Sequence, residues 1–214
     1  GTLESTDNGK VIRETQSQMG FAARQYRFFA GSADKLWGKV IPLDQPDVLD
    51  YASREPLGVA VLITAWNSPM GLLSNKLGPA LAAGCTVVVK PSEHASVTTL
   101  EFAKLVEKAG FPKGVFNVVT GDHRVGKALL NSGRIDRISF TGSPAVGREI
   151  AAQAGRQLVP VTLELGGKSP NIIFDDADID KAVVGAFAGI FAATGQTCIA
   201  GSRLLVHKPV YGQV

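Results

Sequence analysis

From residue 58 onward the chain alternates short, almost wholly apolar runs with longer amphipathic ones. Residues 58–65 (GVAVLITA) and 86–90 (TVVVK) are rich in β-branched side chains. Such runs are the signature of strands buried on both faces. Residues 115–119, 137–140 and 159–163 read as further strands. Between them, residues 68–84, 96–109, 124–130 and 145–154 have helical character, with Gly84 and Gly110 as stops. Upstream, residues 11–37 place Phe28 and Phe29 about two turns after Phe21, which predicts a helix. Residues 39–57, interrupted by Pro42, Asp44, Pro46 and Asp47, read as two short strands around a turn. Past Gly167 the pattern predicts a strand over 171–174, a helix over 179–193 and a strand over 203–206.

Strands alternating with helices imply βαβ units, and so an α/β fold: a Rossmann-like parallel sheet with helices on both faces. Right-handed crossovers put all strand carboxyl ends on one edge, where such sheets bind ligands. The positions to inspect are those following each strand: Trp66 and Asn67, Lys90 to Glu93, Thr120 and Gly121, Thr141 to Gly147, and Glu164 to Gly167. The adjacent Gly166 and Gly167 give the chain freedom to turn, and a domain boundary is expected there.

Composition narrows the function classes. Hydrophobic residues make up 45% and charged residues 19% of the 214 positions, as in ordinary globular proteins. Lys and Arg exceed Asp and Glu by only 22 − 19 = 3, and no basic run occurs, which argues against a nucleic-acid surface. The longest charge-free stretch, 182–200, is interrupted by Gly185, Gly189, Gly195, Gln196 and Thr197. It reads as a buried helix ending at Gly195 rather than a membrane span. Two distant cysteines, Cys85 and Cys198, do not form a disulfide framework, so a reducing, cytoplasmic location is expected. The polar start GTLESTDNGK carries no signal-peptide pattern, and both ends read as cut from a longer chain.

Four segments could carry chemistry. In Phe140-Thr141-Gly142-Ser143-Pro144-Ala145-Val146-Gly147 a strand passes through a glycine into a helix. Free N–H groups at that helix start suit a dinucleotide pyrophosphate, although the spacing is not G-x-G-x-x-G. An ordinary strand–helix turn is the plain alternative. Lys90-Pro91-Ser92-Glu93 closes a buried strand at the ligand edge. A carboxylate there can accept from both ribose hydroxyls and would repel a 2′-phosphate; the alternative is a solvated charge pair. Glu164, between Leu163 and Leu165, is a candidate general base if desolvation raises its pKa. Otherwise it turns to solvent. Cys198 follows a helix among Gly195 and Gly201, with room for a substrate to approach a thiolate; a buried, inert cysteine is the plain alternative. Cys85 leads straight into a strand and reads as packing. No cluster of metal-ligating residues is evident.

In this order, AWNSP, KPSE, FTGSPAVG, LELGGKSP and GQTCIAGSR strongly resemble the aldehyde dehydrogenase superfamily, over nearly the whole chain. The resemblance implies an oxidoreductase that converts an aldehyde to a carboxylic acid with NAD, or NADP, through a cysteine thiohemiacetal and thioester. It implies Cys198 as the nucleophile, Asn67 and the Cys198 N–H as the oxyanion site, and Glu164 as the base. Lys90 and Glu93 match the adenine-ribose contacts, and Thr141, Gly142 and Ser143 the pyrophosphate region. Ile63, Thr64, Trp66, Gly126, Phe140, Val146 and Leu165 would line the remaining cofactor cleft. Residues 1–38 and 58–166 would form the dinucleotide-binding domain, 39–57 an oligomerisation hairpin, and 167–214 a truncated start of the catalytic domain. A homodimer or homotetramer, with a small-molecule aldehyde as substrate and no nucleic-acid or membrane partner, is the implied assembly. The family's later glutamate that holds the nicotinamide ribose has no match here. Two other readings remain: a CoA-acylating relative, against which Glu164 argues, and a non-catalytic NAD-binding fragment.

Overall fold

The computed structural model describes residues 1–214. Five parallel strands form the main sheet: β3 (Val59–Ile63), β4 (Thr86–Lys90), β5 (Phe116–Val118), β6 (Arg137–Gly142) and β7 (Val161–Leu165). Their spatial order is β5-β4-β3-β6-β7. The chain therefore runs outward from β3 to one edge, returns beside β3 and continues to the other edge. The strand order reverses between β3 and β6, and crevices open at such switch points.

Alternation along β3 divides the core in two. Ala60 and Leu62 face Met70, Leu73 and Leu77 of α3 (Pro69–Ala82), with Cys85, Val87 and Val89. Val61 and Ile63 face the opposite side, with Ile138, Phe140, Leu130 of α5 (His123–Asn131) and Ile150 of α6 (Pro144–Gln157). Both faces of the sheet are covered, as the apolar runs predict. Cys85 sits in the first cluster, in agreement with its packing role.

The remaining elements are α1 (Thr2–Asn8), α2 (Ile12–Ala30) and α4 (Val97–Lys108), with a hairpin of β1 (Lys39–Ile41) and β2 (Asp50–Ala52). The hairpin pairs antiparallel, Val40 opposite Tyr51, with both exposed. Beyond Gly166 and Gly167, β8 (Pro170–Ile173) and β9 (Arg203–Val206) form a separate two-stranded parallel sheet, linked through α7 (Ile179–Phe191). No helix is long and apolar enough to cross a membrane.

One helix was not anticipated, and two expectations need correction. Helix α1 has no apolar periodicity; it docks through polar groups, with the buried Glu4 carboxylate accepting from Met70 N–H at 3.3 Å. The last strand of the main sheet is shifted two residues, running from Val161 to Leu165. Val159 is held back by its N–H on the Ala154 carbonyl, so Glu164 lies within the strand, paired opposite Thr141. Helix α7 ends at Phe191 rather than Gly195, and none of its residues is buried within these 214 residues. Val184, Phe187 and Phe191 are all more than 60% exposed.

Candidate active site

The carboxyl ends of β3, β4, β6 and β7 open into one cleft of about 1060 Å³. Every site residue expected from the family resemblance lines it, whereas Thr120 and Gly121, also singled out at the strand ends, do not. Ile63, Thr64, Trp66 and Asn67 come from β3 and the following turn, and Lys90 and Glu93 from the end of β4. Phe140, Thr141, Gly142, Ser143 and Val146 come from β6 and the start of α6. Gly126 comes from α5, Glu164 and Leu165 from β7, and Cys198 from the loop after α7.

The start of α6 is a side-chain-capped helix N-terminus on the cleft wall. Ser143 is extended and caps the helix, its Oγ accepting from Val146 N–H at 3.3 Å, and Pro144 occupies the first turn. Strand β6 continues through Thr141 and Gly142 before that turn. A Cβ at Gly142 would stand 2.4 Å from the Phe140 ring, so glycine lets the backbone pass the aromatic side chain. The Oγ1 atoms of Thr64 and Thr141 are buried on the cleft wall and have no hydrogen-bond partner. Buried hydroxyls without partners are uncommon, and both are available to a polar ligand. Lys90 is buried and donates to the Pro91 carbonyl at 3.1 Å, while Glu93, 3.7 Å from its Nζ, is exposed. The pair is thus half in the protein rather than a solvated loop pair.

At the other end of the cleft, Asn67 Nδ2 donates to the Gln196 carbonyl at 2.7 Å. That bond ties the turn after β3 to the Cys198 loop and spends one of the two amide hydrogens. The Cys198 N–H is donated to no group of the chain. Gly167 admits this loop closely: a Cβ there would lie 3.2 Å from the Cys198 carbonyl oxygen. Cys198 itself is half-buried. Of the two alternatives for Glu164 the structure shows the exposed one: its carboxylate lies at the open cleft.

Lys76 of α3 escaped the sequence reading. It is buried, donates to Ser139 Oγ at 2.9 Å, and feels the charge of Glu164. A single lysine in an apolar helix gives no periodic signal; only the sheet's position over α3 reveals it. Burial lowers its pKa from 10.5 to about 8, with the Glu164 charge opposing. Between those values the unfolded chain holds a proton that the folded chain has released, so this group makes stability rise with pH. Lys76→Met is expected to remove that rise. Relative to the parent, the variant should be more favoured at pH 7 than at pH 10 by roughly 2–3 kcal/mol. Urea unfolding of both proteins at the two pH values measures the difference; parallel pH profiles would contradict it.

The aldehyde dehydrogenase family model matches residues 1–214. The chain belongs to the aldehyde dehydrogenase family. It is 51% identical over 209 residues to (Z)-2-((N-methylformamido)methylene)-5-hydroxybutyrolactone dehydrogenase of Acinetobacter baylyi, covering 97% of this chain and 43% of that protein. An aldehyde dehydrogenase of Enchytraeus buchholzi is 49% identical, with 98% and 43% covered. Among solved structures, PnpE of a Pseudomonas species, in complex with nicotinamide adenine dinucleotide, superposes with a TM-score of 0.95 at 46% identity, over 99% of this chain and 44% of that one. Betaine aldehyde dehydrogenase of Staphylococcus aureus in complex with NAD+ gives 0.96 at 41% identity, over 99% and 43%. This family member thus spans well under half the length of those relatives.

Proposed function

We propose that the protein oxidises an aldehyde to a carboxylic acid, with Cys198 as nucleophile and NAD as hydride acceptor. One observation carries the reading: five sequence segments far apart in the chain converge on a single cleft with a helix N-terminus at one end and a thiol at the other. The residues present fit a dinucleotide. The unpartnered hydroxyls of Thr64 and Thr141 and the α6 start suit its polar groups, while Ile63, Phe140, Val146 and Leu165 supply apolar wall. Two structural relatives are NAD complexes, which supports the same cofactor here.

The Cys198 thiolate attacks the aldehyde carbon, and the carbonyl oxygen becomes an oxyanion. The unspent Cys198 N–H and the second Asn67 amide hydrogen are the donors available to it. When bound, the nicotinamide supplies the hydride acceptor that turns this adduct into a thioester. Glu164, open to solvent in the cleft, takes a proton from the water that cleaves the thioester. Splitting the oxidation into acylation and hydrolysis replaces one hard step with two easier ones.

In this reading residues 1–38 and 58–166 hold the dinucleotide, and residues 167–214 begin the catalytic domain. The exposed hairpin of residues 39–57, with Val40, Leu49 and Tyr51 uncovered, is the oligomerisation arm of a dimer or tetramer. Glu93 holds the adenine ribose and selects NAD over NADP by repelling a 2′-phosphate. Titrations with NAD+ and NADP+ should quench Trp66, which lines the cleft, with tighter binding of NAD+. Glu93→Ser should narrow the preference by about tenfold, the scale of one lost charge repulsion. Unchanged NADP+ affinity in that variant would remove Glu93 from the role. Failure of the parent to bind either nucleotide would remove the cofactor assignment.

A further inference from the structure

We infer that α2 is a bracket that sets the spacing of the two oxyanion donors, with Glu14 as a positioning residue for the Cys198 loop. The inference rests on the function proposed above and extends it to residues outside the cleft. Glu14 and Gln18 are four apart within one helix and so share a face. Lys10 precedes α2, and Glu14 and Gln18 lie within it.

The three side chains reach both halves of the site. Lys10 Nζ donates to Ser68 Oγ at 2.7 Å and to the Asn67 carbonyl at 3.3 Å. Gln18 Nε2 donates to the same Ser68 Oγ at 3.2 Å, and that hydroxyl in turn donates to the Asn67 carbonyl. Asn8, just before Lys10, donates to the Trp66 carbonyl at 3.1 Å. The turn carrying Asn67 is therefore held from outside at three consecutive residues. Glu14 faces the other half: its Oε2 accepts from Ala193 N–H at 2.8 Å, across 179 residues of sequence.

What Glu14 holds is strained. Ala193 has φ 52° and Thr194 φ 56°, followed by Gly195 at φ 75°. Three successive residues in the left-handed region, two of them not glycine, persist only where the surroundings fix them. The Glu14 carboxylate fixes the first. The turn delivers Gln196, whose carbonyl receives Asn67 Nδ2, and then Cys198. The contacts close a ring: Glu14 to Ala193, Gln196 to Asn67, Asn67 and Ser68 to Lys10. Donors to an oxyanion must stand within a few tenths of an ångström of their productive places. A ring anchored on one helix supplies that constraint.

The test uses Glu14→Leu, which keeps bulk but cannot accept, and Glu14→Gln, which can. Both are made in the protein carrying this sequence. In Glu14→Leu the Ala193 amide should exchange its hydrogen about tenfold faster, with the main-sheet amides unchanged. Its kcat for NAD+-linked aldehyde oxidation should fall by about ten- to a hundredfold, with KM for NAD+ within about twofold of the parent. Glu14→Gln should restore both. Unaltered Ala193 exchange in Glu14→Leu, an unaltered kcat despite faster exchange, or equal damage in Glu14→Gln would each overturn the bracket. A parent protein without aldehyde-dependent NAD+ reduction would instead sink the proposed function, and the exchange comparison would still decide whether Glu14 holds the turn.

Discussion

Cys198→Ala should abolish aldehyde oxidation, lowering kcat by roughly 10³-fold or more, the scale seen when a covalent nucleophile is removed. Binding of NAD+ should survive, because the dinucleotide end of the cleft is built from β3, β4, β6 and α6 and not from the Cys198 loop. Cys85→Ala is the control. That thiol is packed with Leu62, Leu73 and Val87, so its loss should cost roughly 1 kcal/mol of stability and leave kcat nearly unchanged. Steady-state formation of NADH by the three proteins reads the result. Equal losses in both variants would mean that neither sulfur is the nucleophile.

Asn67→Ala carries the second large effect. The amide is the only side-chain donor of the proposed oxyanion pair, and removing one such donor costs roughly 10²–10³ in kcat, or about 3–4 kcal/mol. The bond to Gln196 disappears as well, so part of the loss reflects a looser Cys198 loop. An interaction made only as the oxyanion forms lowers kcat and kcat/KM together, without raising KM. A variant with normal kcat and a raised KM would make Asn67 a substrate-binding group instead. Non-additivity between Asn67→Ala and Glu14→Leu is expected, since both act on one ring of contacts.

The sheet was legible because burial on two faces leaves a local trace. The β-branched runs of β3 and β4 and the helical spacing of α3 and α4 announce themselves within a dozen residues. The site was legible for a different reason. In a doubly wound sheet every strand ends on the same edge, so knowing where β3, β4, β6 and β7 stop was enough to gather Asn67, Lys90, Thr141 and Glu164. What escaped depends on partners distant in sequence. Glu4 is buried because Met70 offers an N–H, and Glu14 matters because Ala193 does. A polar helix such as α1 shows no apolar stripe for its neighbours to explain. The flanking leucines could not decide between the two readings of Glu164: in a strand, neighbours alternate faces, so apolar residues on either side say nothing about its own.

The unequal settings of the two sulfurs have a practical side. Cys85 is sealed beneath the sheet and Cys198 stands on the wall of the cleft. A thiol-directed dye therefore meets a single reachable sulfur in the folded molecule, without any engineering. Whatever fills that end of the cleft must shield it, so the speed of labelling becomes a gauge of vacancy. Even a ligand that undergoes no reaction and emits no signal would register as a delay in colour.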